Sequence, residues 1–407
     1  AYRGAGRPEA TYMLERMVDL FAAEIGMDPA EVRRKNFIPP FADGHTVATG
    51  VSYDSGNYEA SFNRALEMVG YEQFRREQEE ARGQGRYLGL GISSYVEICG
   101  GAPSSVAATL GARAGLWESA LVRMHMTGKV TVYTGASTHG QGHETTFAQL
   151  VASELGIPVE DVDVVHGDTG RVQMGTGTFG SRSAAVGGGA IVLSARKIKE
   201  KARKLTAHLL EAAEEDIVYE NGRLFVQGAP ANAKTIQDIA MASHYYASDL
   251  PEGMEPGLEA TSYFDPKNFT WPGGTHIAVV EVDADTGDVK VLRYIAVDDV
   301  GNVINPMILD GMVQGGAAQG IGQALQEEAI YDSNGQLLTG SMMDYAVPKA
   351  EDVPLFELDR TVTPTKVNPM GVKGAGETAT IAGSPAVINA VVDALAPFGV
   401  RHIDMPA

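Results

Sequence analysis

Apolar and polar positions along the first eighty residues recur at the period of helices, and from Tyr87 onward the pattern changes to that of strands. Between Glu9 and Ile25, residues Tyr12, Met13, Met17, Leu20, Phe21 and Ile25 fall at helical spacing, and Gly26 supplies a stop. Asp28-Pro29-Ala30-Glu31 reads as a capping box with proline at the first helical position, which predicts a short helix to about Lys35. A third helix is predicted from Tyr58 to about Ala81. Its charged end runs into Arg82-Gly83-Gln84-Gly85, which sets the expected domain boundary, 1–85 and 86–407.

Leu88 to Ile98 reads as a strand, and Ala120 to Met126 with Lys129 to Tyr133 as a hairpin turning at Thr127-Gly128. The second arm leads through Gly135-Ala136-Ser137-Thr138-His139-Gly140-Gln141-Gly142 into a helix, His143 to Leu155, stopped by Gly156. The same order recurs: strand Val162 to His166, glycines from Gly167 to Gly180, then Ser181-Arg182-Ser183 and a long helix ending near Ala213. Amides exposed at a helix start, with the positive end of the dipole, make an anion site, and Arg182 would add a bidentate donor. Two such starts suit a pyrophosphate; an ordinary loop without ligand is the alternative for each. Further hairpins are expected across Asn221-Gly222 and Asp285-Thr286-Gly287. Asp298 to Pro306 leads into the helical run Met307 to Glu328, whose glycines at 311, 315, 316, 320 and 322 make it a poor helix unless close packing compensates.

Composition narrows the class. A chain of 407 residues with 44% hydrophobic and 21% charged residues is long enough for two or more domains and is that of a folded soluble protein, with no run of about eighteen apolar residues expected to be able to cross a membrane. The net charge of -20 argues against a broad basic footprint for nucleic acid or an anionic membrane. The single cysteine, Cys99, excludes an internal disulfide and a four-thiolate iron–sulfur or zinc site, so any redox centre is a bound cofactor. Lacking paired cysteines and a signal pattern, the chain reads as cytoplasmic, and its opening inside a glycine-rich motif suggests a piece of a longer protein. Glycine is in excess, 48 residues where usage of roughly 7% would give about 28, and the excess is clustered in loops expected to approach one ligand.

Near the C-terminus, Gly371-Val372-Lys373-Gly374-Ala375-Gly376-Glu377-Thr378 places one carboxylate behind three glycines, a posture suited to a general base or to a plain turn before a helix from Pro385 to Leu395. Other chemistries drop out. His143-Glu144-Thr145-Thr146-Phe147 lacks the second histidine of a zinc-protease helix, and no P-loop or matched nucleophile elbow occurs. Gly175-Thr176-Gly177-Thr178-Phe179-Gly180 fits the dinucleotide spacing but lacks the acidic residue of a Rossmann unit.

Five motifs in order resemble one family, the molybdenum-binding large subunits of the xanthine dehydrogenase, aldehyde oxidase and aerobic carbon monoxide dehydrogenase group. They are Ala1-Tyr2-Arg3-Gly4-Ala5-Gly6-Arg7, Gly140-Gln141-Gly142-His143-Glu144-Thr145, Gly177-Thr178-Phe179-Gly180-Ser181-Arg182-Ser183, Asp298-Asp299-Val300-Gly301 with Ile304-Asn305-Pro306, and Lys373-Gly374-Ala375-Gly376-Glu377. The resemblance implies an α+β fold, mixed sheets with packed helices, of the aldehyde oxidase and xanthine dehydrogenase molybdopterin-binding type. Residues 1–85 would end the first cofactor-binding half and 86–407 form the second. It assigns pterin and phosphate contacts to Gly140, Gln141, Gly142, His143, Glu144 and Thr145, to Thr178, Phe179, Gly180, Ser181, Arg182 and Ser183, and to Lys373, Gly374 and Gly376. No residue binds the metal directly in this reading.

The same resemblance makes Glu377 the active-site base of a hydroxylation that takes its oxygen from water, with an aldehyde or N-heterocycle as substrate. Such a glutamate should stand clear of a tight cation. The loop Arg3, Gly4, Ala5, Gly6 and Arg7 faces substrate, either arginine steering a polar or carboxylated one. Carbon monoxide-oxidising members carry a cysteine where this chain has Gly4, which points to the hydroxylase side of the group. Implied cofactors are molybdenum-molybdopterin, as the cytosine dinucleotide for a prokaryotic source, with iron–sulfur and FAD centres only in partner subunits. Implied partners are those two subunits, in a dimer of heterotrimers, and the N-terminal half of the same subunit, whose Gly-Gly-Phe-Gly loop is not found here. An inactive cofactor-binding fragment and carbon monoxide oxidation are the competing readings.

Overall fold

In the computed structural model of the chain, residues 2–407 are described except 101, 102, 110 and 112–114, and at 247 only the backbone is. Ala1, the first residue of the opening motif, lies outside them. The chain divides into two compact units. Unit 1 holds the residues up to Cys99, Thr270–Thr365 and Lys373–Ala407; unit 2 holds Gly100–Phe269 and Lys366–Val372. The division expected at 85/86 does not coincide with these units, because the helices of the first eighty-five residues pack on strands supplied from 87 to 299 and on the helix at 378–395.

In chain order, unit 1 opens with α1 (Arg7–Ile25), α2 (Pro29–Asn36), the short pair β1 (His45–Thr46) and β2 (Ser52–Tyr53), α3 (Tyr58–Val69), α4 (Tyr71–Gly83) and β3 (Tyr87–Val96). Unit 2 follows with α5 (Ser104–Thr109), β4 (Glu118–Met124), β5 (Val130–Thr134), α6 (His143–Leu155), β6 (Val162–Val165), α7 (Gly188–Leu209), β7 (Ile217–Glu220), β8 (Arg223–Val226), β9 (Lys234–Thr235), α8 (Ile236–Tyr245) and β10 (Leu258–Phe264). The chain then completes unit 1 with β11 (Gly273–Val282), β12 (Val289–Asp299), α9 (Pro306–Leu325), β13 (Phe356–Thr361) and α10 (Thr378–Leu395).

The unit 1 sheet runs β13-β12-β11-β3, antiparallel except for the parallel β12–β13 edge. Both faces are covered, and side-chain alternation sorts them. Ile277 and Val279 of β11 join Leu88, Leu90 and Ile92 of β3 and the apolar residues of α3 and α4. Ala278, Val280 and Val282 face the core made by α9 and α10. On that face β3 offers Gly89 and Gly91, and a Cβ on Gly91 would come within 2.1 Å of the Ala386 carbonyl oxygen, so only glycine lets α10 lie on the strand.

Contrary to the expectation that no run is apolar and long enough to cross a membrane, α10 extended to Phe398 is, by length and composition, one such helix among the described residues. Fifteen of its eighteen residues are buried, however, so its all-round hydrophobicity is that of a central core helix. It begins at Thr378, seven residues before the expected start, and carries Pro385 inside.

Three further differences have local causes. The helix predicted over 58–81 is two helices, because Gly70 adopts φ +68° and caps the first. The apolar stripe of α1 stays exposed at Met13, Met17, Phe21 and Ile25, while Glu15 and Arg16 are buried. Their inward face is chosen by partners: Glu15 pairs with buried Arg33 at 2.6 Å, and Arg16 donates to Asn389 Oδ1 at 2.7 Å. The glycines of α9 pack on a helix, since a Cβ on Gly320 would meet Gly383 Cα at 2.6 Å.

Unit 2 is built on the sheet β10-β4-β5-β6, in which β5 and β6 are parallel and the other neighbours antiparallel. Val122, Met124, Val130 and Val132 of the sheet share one core with Phe147 and Val151 of α6 and Ile191 and Ile198 of α7. The hairpin β7–β8 turns at Asn221 and Gly222, both at positive φ, as the Asn-Gly pair predicts.

Candidate active site and cofactor-binding loops

Glu377 sits at the N-cap of α10, with 15% of its side chain exposed. Its Oε1 accepts the Gly4 amide at 3.1 Å and its Oε2 accepts Arg7 Nη2 at 2.6 Å. The expectation that it stands clear of a cation is therefore not met. The partners come from a tight opening turn in which Gly4, Ala5 and Gly6 have φ of 99°, 47° and 85°. At Gly4 a Cβ would lie 2.5 Å from Pro8 Cγ, so glycine is required there on both counts.

Neither arginine of this turn is open to a carboxylated substrate, because every guanidinium nitrogen already donates. Arg3 donates Nε to the Gly376 carbonyl at 2.6 Å, Nη1 to Gln319 Oε1 at 3.2 Å and Nη2 to the Met312 carbonyl at 3.2 Å. It ties the turn to the glycine loop before Glu377 and to α9. Arg7 donates Nε to the Gly4 carbonyl at 2.6 Å and Nη1 to both Glu97 Oε1 at 2.9 Å and the Ile98 carbonyl at 2.6 Å. Lys373 points elsewhere: its buried ammonium donates to the carbonyls of Ser55 at 2.8 Å and Trp271 at 3.2 Å, 3.8 Å from Asp54. Burial pulls its pKa down, while Asp54 and Asp299 oppose that.

Two features of unit 1 escaped the sequence pattern. Glu97 is fully buried beside Arg7; its only signal was a lone carboxylate inside Tyr95-Val96-Glu97-Ile98-Cys99. A buried chain also runs from Tyr95, whose hydroxyl donates to Asp298 Oδ1 at 2.5 Å, through His276 Nε2 at 3.1 Å from the same oxygen, to Tyr294 at 2.9 Å from His276 Nδ1. Burial first, and the Asp298 charge next, push both phenols well above their ordinary range. Asp298 thus serves the interior of the sheet.

In unit 2 the loop before α6 fits an anionic ligand. Gly140 and Gly142 have positive φ, and α6 begins without a side-chain cap, leaving its first-turn amides available. His143, its first residue, is buried and stacked on Phe147, and its Nδ1 has no hydrogen-bond partner. Burial lowers its pKa to about 4, so the ring is neutral. Gln141 Oε1 accepts from the His139 amide and from Thr138, Glu144 pairs with His166 at 2.8 Å, and Thr145 is exposed.

The second helix start is built differently from the expectation. Arg182 is wholly buried and donates to Glu118, to the Gly177 carbonyl and to the Leu116 carbonyl. A buried guanidinium needs a carboxylate, and Glu118, one more lone acid in an apolar run, supplies it; Arg182 is thus a strut and not a free phosphate donor. Thr178 and Ser183 bond to each other at 2.8 Å, and the Ser137 amide donates to Thr178 Oγ1 at 3.2 Å. Gly180 and Ser181 follow at positive φ, and Phe179 remains half exposed. Gly135 and Gly175 are in backbone contact, a Cβ on either coming 2.3 Å from the other's Cα. Gly374 is buried in unit 1, and Gly376 serves Arg3 through its carbonyl.

A chain of mixed sheets and helices, with uncapped glycine loops and an orphaned imidazole nitrogen at a helix start, defines a cofactor-binding protein of the α+β class. The model of the family described as molybdopterin cofactor-binding domain matches residues 64–354, a second of the same description matches 1–37, and the chain belongs to that family. It is 43% identical over 410 residues to the carbon monoxide dehydrogenase large chain of Hydrogenophaga pseudoflava and 41% identical over 407 residues to the nicotine 6-hydroxylase large subunit of Paenarthrobacter nicotinovorans. Each match covers 100% of this chain and 50% of the relative, so the chain spans about half the length of the relatives it matches. Among solved structures, quinoline 2-oxidoreductase from Pseudomonas putida 86 superposes with a TM-score of 0.93 at 42% identity, over 98% of this chain and 50% of that one.

Proposed function

We propose that the chain carries the base and part of the cofactor-binding surface of a molybdenum hydroxylase acting on an electron-poor carbon of an aldehyde or N-heterocycle. When bound, molybdopterin, as its cytosine dinucleotide, would supply the two-electron redox centre, with electrons leaving to separate iron–sulfur and FAD subunits. Gly140, Gln141, Gly142, the first-turn amides of α6 and His143 Nδ1 would hold its pterin and phosphates in unit 2. In unit 1, Glu377 would take a proton during hydroxylation. The observation that carries this reading is the Glu377 carboxylate, held at a helix start by the Gly4 amide and Arg7 yet still reached by solvent.

Similarity to a carbon monoxide dehydrogenase keeps that activity as a second reading. Gly4 weighs against it: its positive φ and the Pro8 ring leave no room for a cysteine side chain in this turn. Copper content and a carbon monoxide assay of the complete complex separate the two.

The base assignment is tested by Glu377→Gln in the complete, co-expressed complex. Molybdenum and pterin content should stay at the parent level while turnover of aldehydes or N-heterocycles falls by about 10²- to 10⁴-fold, the usual worth of a general base. Near-parental turnover would remove Glu377 from the role.

A further inference from the structure

A helix on the outside of a folded unit normally turns its apolar stripe inward. α1 does the reverse. Met13, Leu14, Met17, Phe21 and Ile25 share one face, as residues three and four apart on a helix do, and are each from 46% to 62% exposed. At 1.5 Å of rise per residue the stripe runs for about 18 Å.

The inward face is fixed by charged side chains. Glu15 is bonded to Arg33, which also donates to Asp19 at 2.7 Å and to the Ile92 carbonyl at 3.1 Å. Arg16 donates to Asn389 Oδ1 at 2.7 Å and to the Arg401 carbonyl at 2.6 Å. Rolling α1 to hide its stripe would break both sets of bonds and leave buried charges unpaired. The outward stripe is thus built into the fold, and a contiguous apolar face of this kind marks an interaction surface.

Charge and chain length choose among its occupants. A membrane surface favours Lys and Arg beside such a stripe, whereas the exposed charged residues of α1 are Glu9 and Glu24, and Arg7 and Arg16 are held by partners. Two α1 helices of separate copies crossing at Met17 would set Glu9 of one near Glu24 of the other, and like charges repel. The rest of the subunit meets neither objection. Residues 1–37, which hold α1 and α2, match a cofactor-binding model separate from the one that matches 64–354, and such a stretch is short for a domain. The relatives are about twice as long as this chain.

We propose that the stripe of α1 is the docking face for an apolar surface of the half of the subunit that the relatives carry beyond this one. The helix then belongs to two cores at once: its charged face is sealed into unit 1, and its apolar face completes the domain that residues 1–37 match. This role is independent of Glu377 being the base.

The test is methionine footprinting of the complete, co-expressed complex with hydrogen peroxide, read by peptide mass spectrometry. Met13 and Met17, open to solvent in this chain, should be oxidised in the native complex at no more than about a tenth of their rate in urea, since a covered side chain reacts only when the structure opens. Rates close to those in urea overturn the proposal. The occupant is read by replacing Met17, and separately Phe21, with the photocrosslinker p-benzoylphenylalanine in the same complex. An adduct with a peptide of the subunit's other half supports the proposal. An adduct only with residues 1–407, of the same copy or a second, or with an iron–sulfur or FAD subunit, overturns it. Should one variant fail to assemble, the other is read, and the footprint needs neither.

Discussion

Lys373 and His143 are both buried ionisable side chains in motifs that resemble cofactor contacts, and burial pulls both pKa values down, but their partners differ. Lys373 donates to two carbonyls near Asp54, which makes it a structural tie between segments. Lys373→Met should leave those acceptors and Asp54 unserved and lower unfolding stability by about 2–4 kcal/mol in urea titrations. A loss within about 0.5 kcal/mol would show that the ammonium holds nothing. His143 instead is neutral in the folded chain, burial pushing its pKa to about 4 from the ordinary 6.5 of a histidine. Above pH 6.5 neither state is charged and stability is full. Between pH 6.5 and 4 the unfolded chain binds a proton the folded one excludes, so stability falls as pH falls, by up to about 3 kcal/mol, and levels off below pH 4. Urea midpoints at pH 7.5 and 5 should differ less in His143→Gln than in the parent; equal differences would refute the assignment.

Among the elements, glycine decides which pieces may touch. Gly70 and Gly91 were alike as letters in the sequence, but one ends a helix and the other sits under a helix. At Gly70 the added Cβ meets nothing, and the φ of +68° alone is strained, so Gly70→Ala should cost about 1 kcal/mol. At Gly91 the Cβ would run into the backbone of α10, forcing strand and helix apart, so Gly91→Ala should cost about 3 kcal/mol or more. Thermal unfolding of the two variants compares them directly, and an equal shift would contradict the packing of α10 on β3. The glycines of α9 were legible as a demand for close packing; that the partner is Gly383 of α10 was not, because nothing in a local window names a residue some sixty positions away.

At the scale of the whole molecule, unit 1 is assembled from three stretches of chain, and Arg7 and Glu377 come from its first and last stretches while Glu97 lies just after β3. Loading is the property to measure here. The complete complex should contain molybdenum and a pterin, by metal analysis and by release of the cofactor, and absence of both would overturn the proposed function.

Periodicity and turn chemistry are local, so the sequence by itself determined the first helix, to Ile25, and the helix from His143, the hairpins at Thr127-Gly128 and Asn221-Gly222, and the motif order that marks the family. It also singled out Glu377 behind its glycines. Only the tertiary structure decided what the charges do: that Arg3, Arg7 and Arg182 are engaged internally, that Lys373 turns to carbonyls, and that Glu97 and Glu118 are the anions that hold two of these cations. A charge's role depends on which opposite charge folding brings within about 3 Å and how far water is excluded there, and neither is encoded at the charge's own position.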